Sequence, residues 1–208
     1  MKNKSSLFSC ALLISFLFMN NAVAQSVAMQ LKEKLTKFDA IKSDFTQKII
    51  SPKGKLLKQG KGTLIISRPG KVIWEASAPD KEKIVSNGKT VWFYTPFVEQ
   101  VSIMDYSTAI KGSPFMLLAG VNDKIWSKYI VSEENGKFTI KNKKNSSPNK
   151  IIYIVTFDKK DNIKEFSRIE SSGQRSTYIF NVEAGYKKPS DKLFEFKIPK
   201  GVEVDDQR

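Results

Sequence analysis

The side chains that most often carry out catalysis or bind metals are scarce in this 208-residue sequence. It contains no histidine, which excludes imidazole-based zinc sites, Ser-His-Asp systems and Cys-His nucleophiles. The adjacent carboxylates of Glu133-Glu134 and Asp205-Asp206 would point to opposite faces of a strand, whereas the paired acids of a glycosidase face each other across a bond. There is also no glycine-rich phosphate loop, metal-ligand spacing or serine-nucleophile motif. We therefore expect a protein that is not an enzyme and that uses no metal or cofactor.

One charged side chain, Arg68, is predicted to share a strand face with apolar side chains. Period-two alternation along two segments joined by the Pro69-Gly70 turn predicts four apolar residues on the same strand face as this arginine: Leu64, Ile66, Val72 and Trp74. A buried guanidinium needs partners for five N–H donors. Arg68 could lie at a solvated rim, or it could donate to carbonyl oxygens at the exposed end of an apolar helix, near Leu118 and Ala119. The spacing leaves both interpretations open.

Aromatic residues make up 11% of the sequence, with 14 Phe, 6 Tyr and 3 Trp. Each could fill an ordinary core, but together they exceed what the interior of a small barrel easily holds. We therefore expect an apolar cavity that accepts an apolar ligand. The residues predicted to line it come from the strand pair above, from an aromatic strand and from an apolar helix: Leu64, Ile66, Val72, Trp74, Trp92, Phe93, Phe115 and Met116.

A helix followed by many short strands would position these residues. The apolar residues at helical spacing are Val27, Leu31, Leu35 and Phe38. From Phe45 onward the period is two, and turn signals such as Asn87-Gly88 and Asn135-Gly136 indicate hairpins, since a type I′ turn needs positive φ at both central residues. About ten strands would result, which is too many for a flat sheet. We predict a mainly β (α+β) fold, an incomplete antiparallel β-barrel.

The stretch from Tyr106 to Gly120 interrupts the strands. Ser113 suits the N-cap of a helix, Pro114 its first turn and Gly120 its end. The intervening residues are apolar on nearly every side. Such a helix must be buried on several faces or must cover something apolar.

Residues 1–24 have the composition of a secretory signal peptide. A short basic start precedes an apolar run that is shorter than the roughly 20 residues needed to span a bilayer. Ala22-Val23-Ala24 then provides the small-residue pattern of a cleavage site. We expect export without lipidation, and a single mature domain at residues 25–208.

The mature chain would be strongly basic and free of cysteine. Removing Lys2 and Lys4 from the 35 basic side chains leaves 33 against 21 acidic ones, a formal charge of +12, and Cys10 is removed with the same segment. The scattered charges and the expected export both argue against nucleic acid as a partner. An anionic membrane surface, an acidic partner or a solvated surface remain as explanations.

Several segments together resemble the periplasmic outer-membrane lipoprotein carriers of the LolA family. They are the run KTVWFYTPFVEQ at residues 89–100, Arg68-Pro69 with Trp74 beyond it, SPFML at 113–117, GVEVDDQR at 201–208, and FTQ at 45–47 after the first helix. The likeness covers essentially the whole mature chain in order. Coincidence is improbable over stretches as specific as WFY-x-PFVEQ and VDDQR.

The resemblance implies an incomplete barrel with a helical lid over a hydrophobic cavity for the acyl chains of lipoproteins. It implies a periplasmic chaperone of a Gram-negative bacterium that takes cargo from an inner-membrane ATP-binding-cassette release complex and delivers it to an outer-membrane acceptor. It also implies that Arg68 holds the lid shut through backbone oxygens of Leu118 and Ala119. We expect a monomer with no nucleic-acid partner.

The alternative is a lipoprotein- or lipid-sensing module of the same fold with no role in transport. A further C-terminal domain would favour sensing, and we expect the chain to end with the barrel. An exported hydrolase would need a nucleophile or an acid pair that the sequence does not provide.

Overall fold

The computed structural model describes residues 27–109, 118–120, 126–143 and 150–208. Within these residues it opens with the helix α1 (27–36), and a short helix α2 follows at Tyr106–Ala109. Residues 118–119 and 126 are also helical. The strands are β1 (Ala40–Ile50), β2 (Leu56–Ser67), β3 (Lys71–Ala78), β4 (Glu82–Asn87), β5 (Thr90–Thr95), β6 (Gln100–Asp105), β7 (Tyr129–Glu134), β8 (Lys137–Asn142), β9 (Ile152–Phe157), β10 (Ile163–Ile169), β11 (Arg175–Val182) and β12 (Glu203–Asp206). Short 3₁₀ turns occur at Pro96–Val98 and Asp191–Phe194.

Twelve strands form one sheet within the described residues, in the order β12-β6-β5-β4-β3-β2-β1-β11-β10-β9-β8-β7. Two antiparallel meanders, β1 to β6 and β7 to β11, are joined by the pairing of β1 with β11. The sheet curls but stays open between its two edge strands, β7 and β12. The predicted incomplete barrel is confirmed, with two more strands than expected.

The two sheet edges are not alike, because β12 runs parallel to β6 while every other pairing among the described strands is antiparallel. Val204 of β12 lies opposite Val101 of β6, and the Gln207 amide donates to the Ile103 carbonyl at 2.8 Å. The predicted antiparallel barrel therefore carries one parallel pairing, at this edge. A parallel partner needs a long return connection, and the segment between β11 and β12 provides it.

The two predicted Asn-Gly hairpins form, but only one of them has the expected turn. Asn135 and Gly136 have φ of 51° and 77°, as a type I′ turn requires. At the other hairpin only Gly88 has positive φ, at 91°. Asn87 instead accepts the amides of Lys89 and Thr90 on its side-chain oxygen, both at 2.9 Å. An asparagine that closes the turn through its side chain does not need the left-handed backbone.

Apolar residues pack on both faces of the curled sheet. The larger cluster lies on the concave face and includes Leu31 and Leu35 of α1, as the helical spacing predicted. The smaller cluster lies on the outer face, where Phe194 is completely buried against Ile73 and Val85. The sheet therefore divides the aromatic residues between two cores, which the sequence analysis had counted as one.

Candidate functional site

The concave face of β2 and β3 carries the four apolar residues that the alternation predicted. Leu64 pairs with Trp74 and Ile66 pairs with Val72. All four side chains are at least 95% buried and belong to the large cluster. Phe93 of β5 is half-buried and packs against the same cluster. Trp74 also stacks on Phe45 of β1, with 5.6 Å between ring centroids and 9° between planes, so an apolar surface extends across neighbouring strands.

Helical residues cover this concave surface. Leu31 and Leu35 of α1 are fully buried in the large cluster, and so are Leu118 and Ala119. Trp126 is also buried there, and its indole N–H donates to the Gly120 carbonyl at 2.9 Å. The apolar face of the sheet is thus closed off from water by a cover that is itself apolar. Two predicted lining residues, Phe115 and Met116, lie outside the described residues.

Arg68 lies at the end of the concave face and is only 7% exposed. Its Nη1 donates to the carbonyl of Phe38, just beyond α1, and its Nη2 donates to the carbonyl of Leu118 at 3.4 Å. Of the two interpretations of this residue, the geometry matches contact with helix-end carbonyls and not a solvated rim. Ala119 is engaged differently, because its carbonyl accepts the backbone amide of Gly70 at 3.2 Å.

Burying the charged guanidinium of Arg68 costs free energy. Burial lowers the pKa of the guanidinium to about 10, although the nearby Asp39 carboxylate acts in the opposite direction. The side chain is still protonated at neutral pH. Its Nε has no hydrogen-bond partner among the described residues. A buried cation with an unused donor is stabilised less than a fully bonded one. Breaking the Arg68 contacts therefore costs less free energy than breaking those of a fully bonded guanidinium.

The turn that follows Arg68 fits closely against the neighbouring hairpin and α2. Gly70 has a φ of 73°, and a Cβ there would lie 3.2 Å from both the Gly88 Cα and the Tyr106 ring. The Tyr106 amide donates to the Lys89 carbonyl at 2.8 Å, and burial raises the pKa of its phenol to about 12. Because Gly70 has no side chain, the turn can pack this closely and lie beside Leu118 and Ala119.

Trp92, a predicted lining residue, does not face the concave side. It pairs with Val85 and Ile103 and packs against Phe196 on the outer face, with ring centroids 6.2 Å apart. Successive side chains of a strand point to opposite faces, so Trp92 and Phe93 cannot both face the cavity. The prediction for Trp92 is wrong, and this tryptophan belongs to the outer core.

A cavity of about 490 Å³ is present, but it lies mainly on the outer face. Its walls include Asp44, Thr46, Thr63 and Glu75, whose strand positions alternate with that of the inward-facing Phe45. These wall residues are exposed. An acyl chain placed there would contact water and carboxylates, so the cavity does not correspond to the predicted apolar site.

Two ion pairs that share one carboxylate attach α1 to the opposite half of the sheet. Lys34 and Lys37 both contact the carboxylate of Asp161, in the turn between β9 and β10, at 2.5 and 2.8 Å. These two hydrogen bonds lower the pKa of Asp161 to about 2. The sequence analysis assigned no role to Lys34 or Lys37. Their partner is more than 120 residues away, and no local pattern indicates it.

The Phe38 carbonyl is a second contact that the sequence analysis missed. The spacing of Phe38 predicts that its side chain lies on the apolar face of α1, but a backbone oxygen carries no sequence signal. Only the end of the helical pattern, where carbonyl groups lose their intrahelical partners, could have indicated it.

The described residues hold no group of three or more Cys, Asp or Glu side chains arranged to bind a metal. Over the same residues, no helix is both long enough and apolar enough to cross a membrane. The site is an apolar surface, an apolar cover and one arginine that joins them. Such an arrangement can bind an apolar ligand if the cover moves.

Comparison with known proteins gives one consistent family. Residues 36–197 match the family described as "Outer membrane lipoprotein carrier protein LolA". An outer-membrane lipoprotein carrier protein of Psychromonas ingrahamii is 43% identical over 192 residues, which cover 92% of this chain and 93% of the relative. A protein of the same description from Vibrio parahaemolyticus is 39% identical over 206 residues, covering 98% and 97%.

The fold also has solved relatives. A LolA superfamily protein from Nitrosomonas europaea aligns with a TM-score of 0.50 at 12% sequence identity, covering 83% of this chain and 97% of that one. At this identity the similarity concerns the fold alone. It supports the curled, open sheet as a recurrent architecture.

Proposed function

Because the chain belongs to the LolA family of outer-membrane lipoprotein carrier proteins, we propose that its concave sheet face receives the acyl chains of lipoproteins during transport. Members of this family are periplasmic carriers that bind and transport, and they are not enzymes. The observation that carries the proposal is the apolar concave face, which is buried under an equally apolar cover. Acyl chains could take the place of that cover without exposing the face to water.

The energy of acyl chains in water explains why a cover of this kind is needed. Each buried methylene contributes about 0.8 kcal/mol, so three acyl chains of ordinary length represent tens of kcal/mol. A lipoprotein cannot cross an aqueous compartment against such a cost. A carrier must open an apolar surface to the chains, shield them and then close to expel them.

In the proposed cycle, Arg68 is the latch of the closed, empty state. Its donation to the Phe38 and Leu118 carbonyls joins the sheet to the end of α1 and to the cover. The Ala119 carbonyl adds a backbone bond to the same turn through Gly70. Entering acyl chains would break the Arg68 contacts as they displace the cover. Closure would restore those contacts and favour release.

The proposed lining of the filled cavity follows from which side chains face inward. Leu64, Ile66, Val72, Trp74 and Phe93 lie on the concave face. Phe115 and Met116 remain sequence predictions for the cover. Trp92 is excluded because it belongs to the outer core.

We propose as partners an inner-membrane ATP-binding-cassette release complex that loads the carrier and an outer-membrane acceptor that unloads it. We further propose that residues 1–24 direct export and that residues 25–208 act as a monomer, with no cofactor and no nucleic-acid partner. The expected formal charge of +12 would assist approach to anionic surfaces.

The test is displacement of a fluorescent fatty-acyl probe by lipoprotein. An environment-sensitive probe should brighten when it binds the mature protein, and triacylated lipoprotein should displace it. The same lipoprotein without its acyl chains is the matched control and should not. Failure of saturating acylated lipoprotein to displace the probe would overturn the proposal. Binding of acyl chains with no transfer to the acceptor would instead indicate a sensing module.

A further inference from the structure

The turn that carries the proposed latch is held from both faces of the sheet. On the concave side, Arg68 reaches the cover through its guanidinium. On the other side, the C-terminal segment, defined as residues 188–194, contacts the same turn. Lys188 Nζ donates to the backbone carbonyl of Arg68 at 3.2 Å, and Lys71 forms an ion pair with Asp191.

The C-terminal segment is itself firmly anchored to the outer face. Phe194 is completely buried against Ile73 and Val85. The Ser190 hydroxyl caps the 3₁₀ turn by accepting the Lys192 amide at 3.3 Å. Lys188 therefore extends from a fixed support, and its hydrogen bond can restrain the atom that accepts it.

Both peptide groups that flank the Arg68 Cα are restrained. The Arg68 amide donates to the Asp39 carbonyl at 2.8 Å, and the Arg68 carbonyl accepts from Lys188. Together these two bonds set the direction in which the side chain leaves the backbone. That direction matters because the bond from Nη2 to Leu118 is 3.4 Å long, close to the limit for a hydrogen bond. A small rotation of the backbone would break it.

We propose that Lys188 is a positioning residue for Arg68, and that through it the C-terminal segment favours the closed cover from the opposite face of the sheet. The inference rests on the proposed latch role of Arg68. The hydrogen bond of Lys188 goes to the backbone carbonyl of Arg68 and not to the guanidinium that meets the cover. It acts only by fixing the backbone from which the latch side chain extends.

The prediction is that Lys188→Met slows acyl release in the same direction as Arg68→Leu, but by less. Loss of one partly exposed hydrogen bond from a charged donor should slow release about three- to tenfold. Lys187→Met is the matched control, because it removes the same charge from the neighbouring exposed residue. Lys188→Arg should release acyl chains at about the wild-type rate, because a guanidinium can also donate to the Arg68 carbonyl.

The experiment measures transfer of a dansyl-labelled fatty acid from the mature protein to vesicles of phosphatidylethanolamine and phosphatidylglycerol. Single variants at Arg68 and Lys188 are compared with the double variant Arg68→Leu/Lys188→Met. If Lys188 acts through Arg68, the double variant should release as slowly as Arg68→Leu alone. Urea unfolding of each variant shows whether a change in release merely follows a change in stability.

The outcomes separate the two proposals. Slow release by Arg68→Leu together with normal release by Lys188→Met would overturn the positioning role and leave the latch intact. Additive slowing in the double variant would also overturn it, because Lys188 would then act independently of Arg68. Normal release by both single variants would overturn the latch itself.

Discussion

Replacing Arg68 by leucine should leave the protein folded and able to load lipoprotein, but slow to release it. The side chain joins the concave face to the cover through two carbonyl oxygens, and both bonds exist only in the closed state of the proposed cycle. Removing them penalises closure. The population shifts towards the open form, and cargo is held more tightly.

Three contributions set the size of the effect, two that weaken closure and one that opposes them. Each hydrogen bond from a charged donor contributes about 1–3 kcal/mol, and the 3.4 Å bond to Leu118 belongs at the low end. The substitution also leaves the Phe38 and Leu118 carbonyls without this donor in the closed state. Against this, leucine removes the burial cost that lowers the pKa of Arg68 to about 10. A net bias of about 1–2 kcal/mol remains, which corresponds to release that is about 5- to 30-fold slower.

The assay follows labelled lipoprotein from the carrier to the outer-membrane acceptor, alongside loading from the inner-membrane complex. Arg68→Lys should give an intermediate rate, because an ammonium keeps the charge but loses the planar fork. Poor loading of Arg68→Leu combined with normal release would refute the latch. Arg68 would then be a docking residue.

Two further predictions concern the elements around the site. Phe194→Ala should lower the free energy of unfolding by about 3–5 kcal/mol, because the ring is fully buried. The control Phe97→Ala should change it by less than about 0.5 kcal/mol, because that ring is 92% exposed. Equal losses of the two variants in urea unfolding would contradict the two-core description. Asp161→Asn should destabilise the protein at neutral pH, because Lys34 and Lys37 lower the pKa of Asp161 to about 2. The difference from the wild type should be complete above the ordinary value of 3.8 and should vanish as the pH falls through about 2; a difference independent of pH would show that the ion pairs do not attach α1.

Much of this architecture is readable from local patterns. Helical spacing placed Leu31 and Leu35 on the buried side of α1, and period-two alternation placed Leu64 and Trp74 on one strand face. The same alternation could have excluded Trp92, because Phe93 is its neighbour in the strand. That error arose from counting aromatic residues without assigning each to a face.

What the sequence could not provide are contacts between distant segments and contacts made by the backbone. Lys188 lies 120 residues from the carbonyl that it contacts, and Asp161 lies more than 120 residues from its lysines. The parallel pairing of β12 with β6 is equally non-local. A carbonyl such as that of Phe38 is chemically the same in every residue, so only the fold shows which one meets Arg68.

The central claim, that acyl chains occupy the concave face, is tested most directly by quenching of single tryptophans. The chain has three tryptophans, of which Trp74 faces the concave side and Trp92 the outer side. A brominated fatty acid should quench the fluorescence of a variant that keeps only Trp74, made by Trp92→Phe and Trp126→Phe. It should leave the emission of the matched Trp92-only variant nearly unchanged. Quenching of Trp92 with no quenching of Trp74 would place the chains on the outer face and contradict the account.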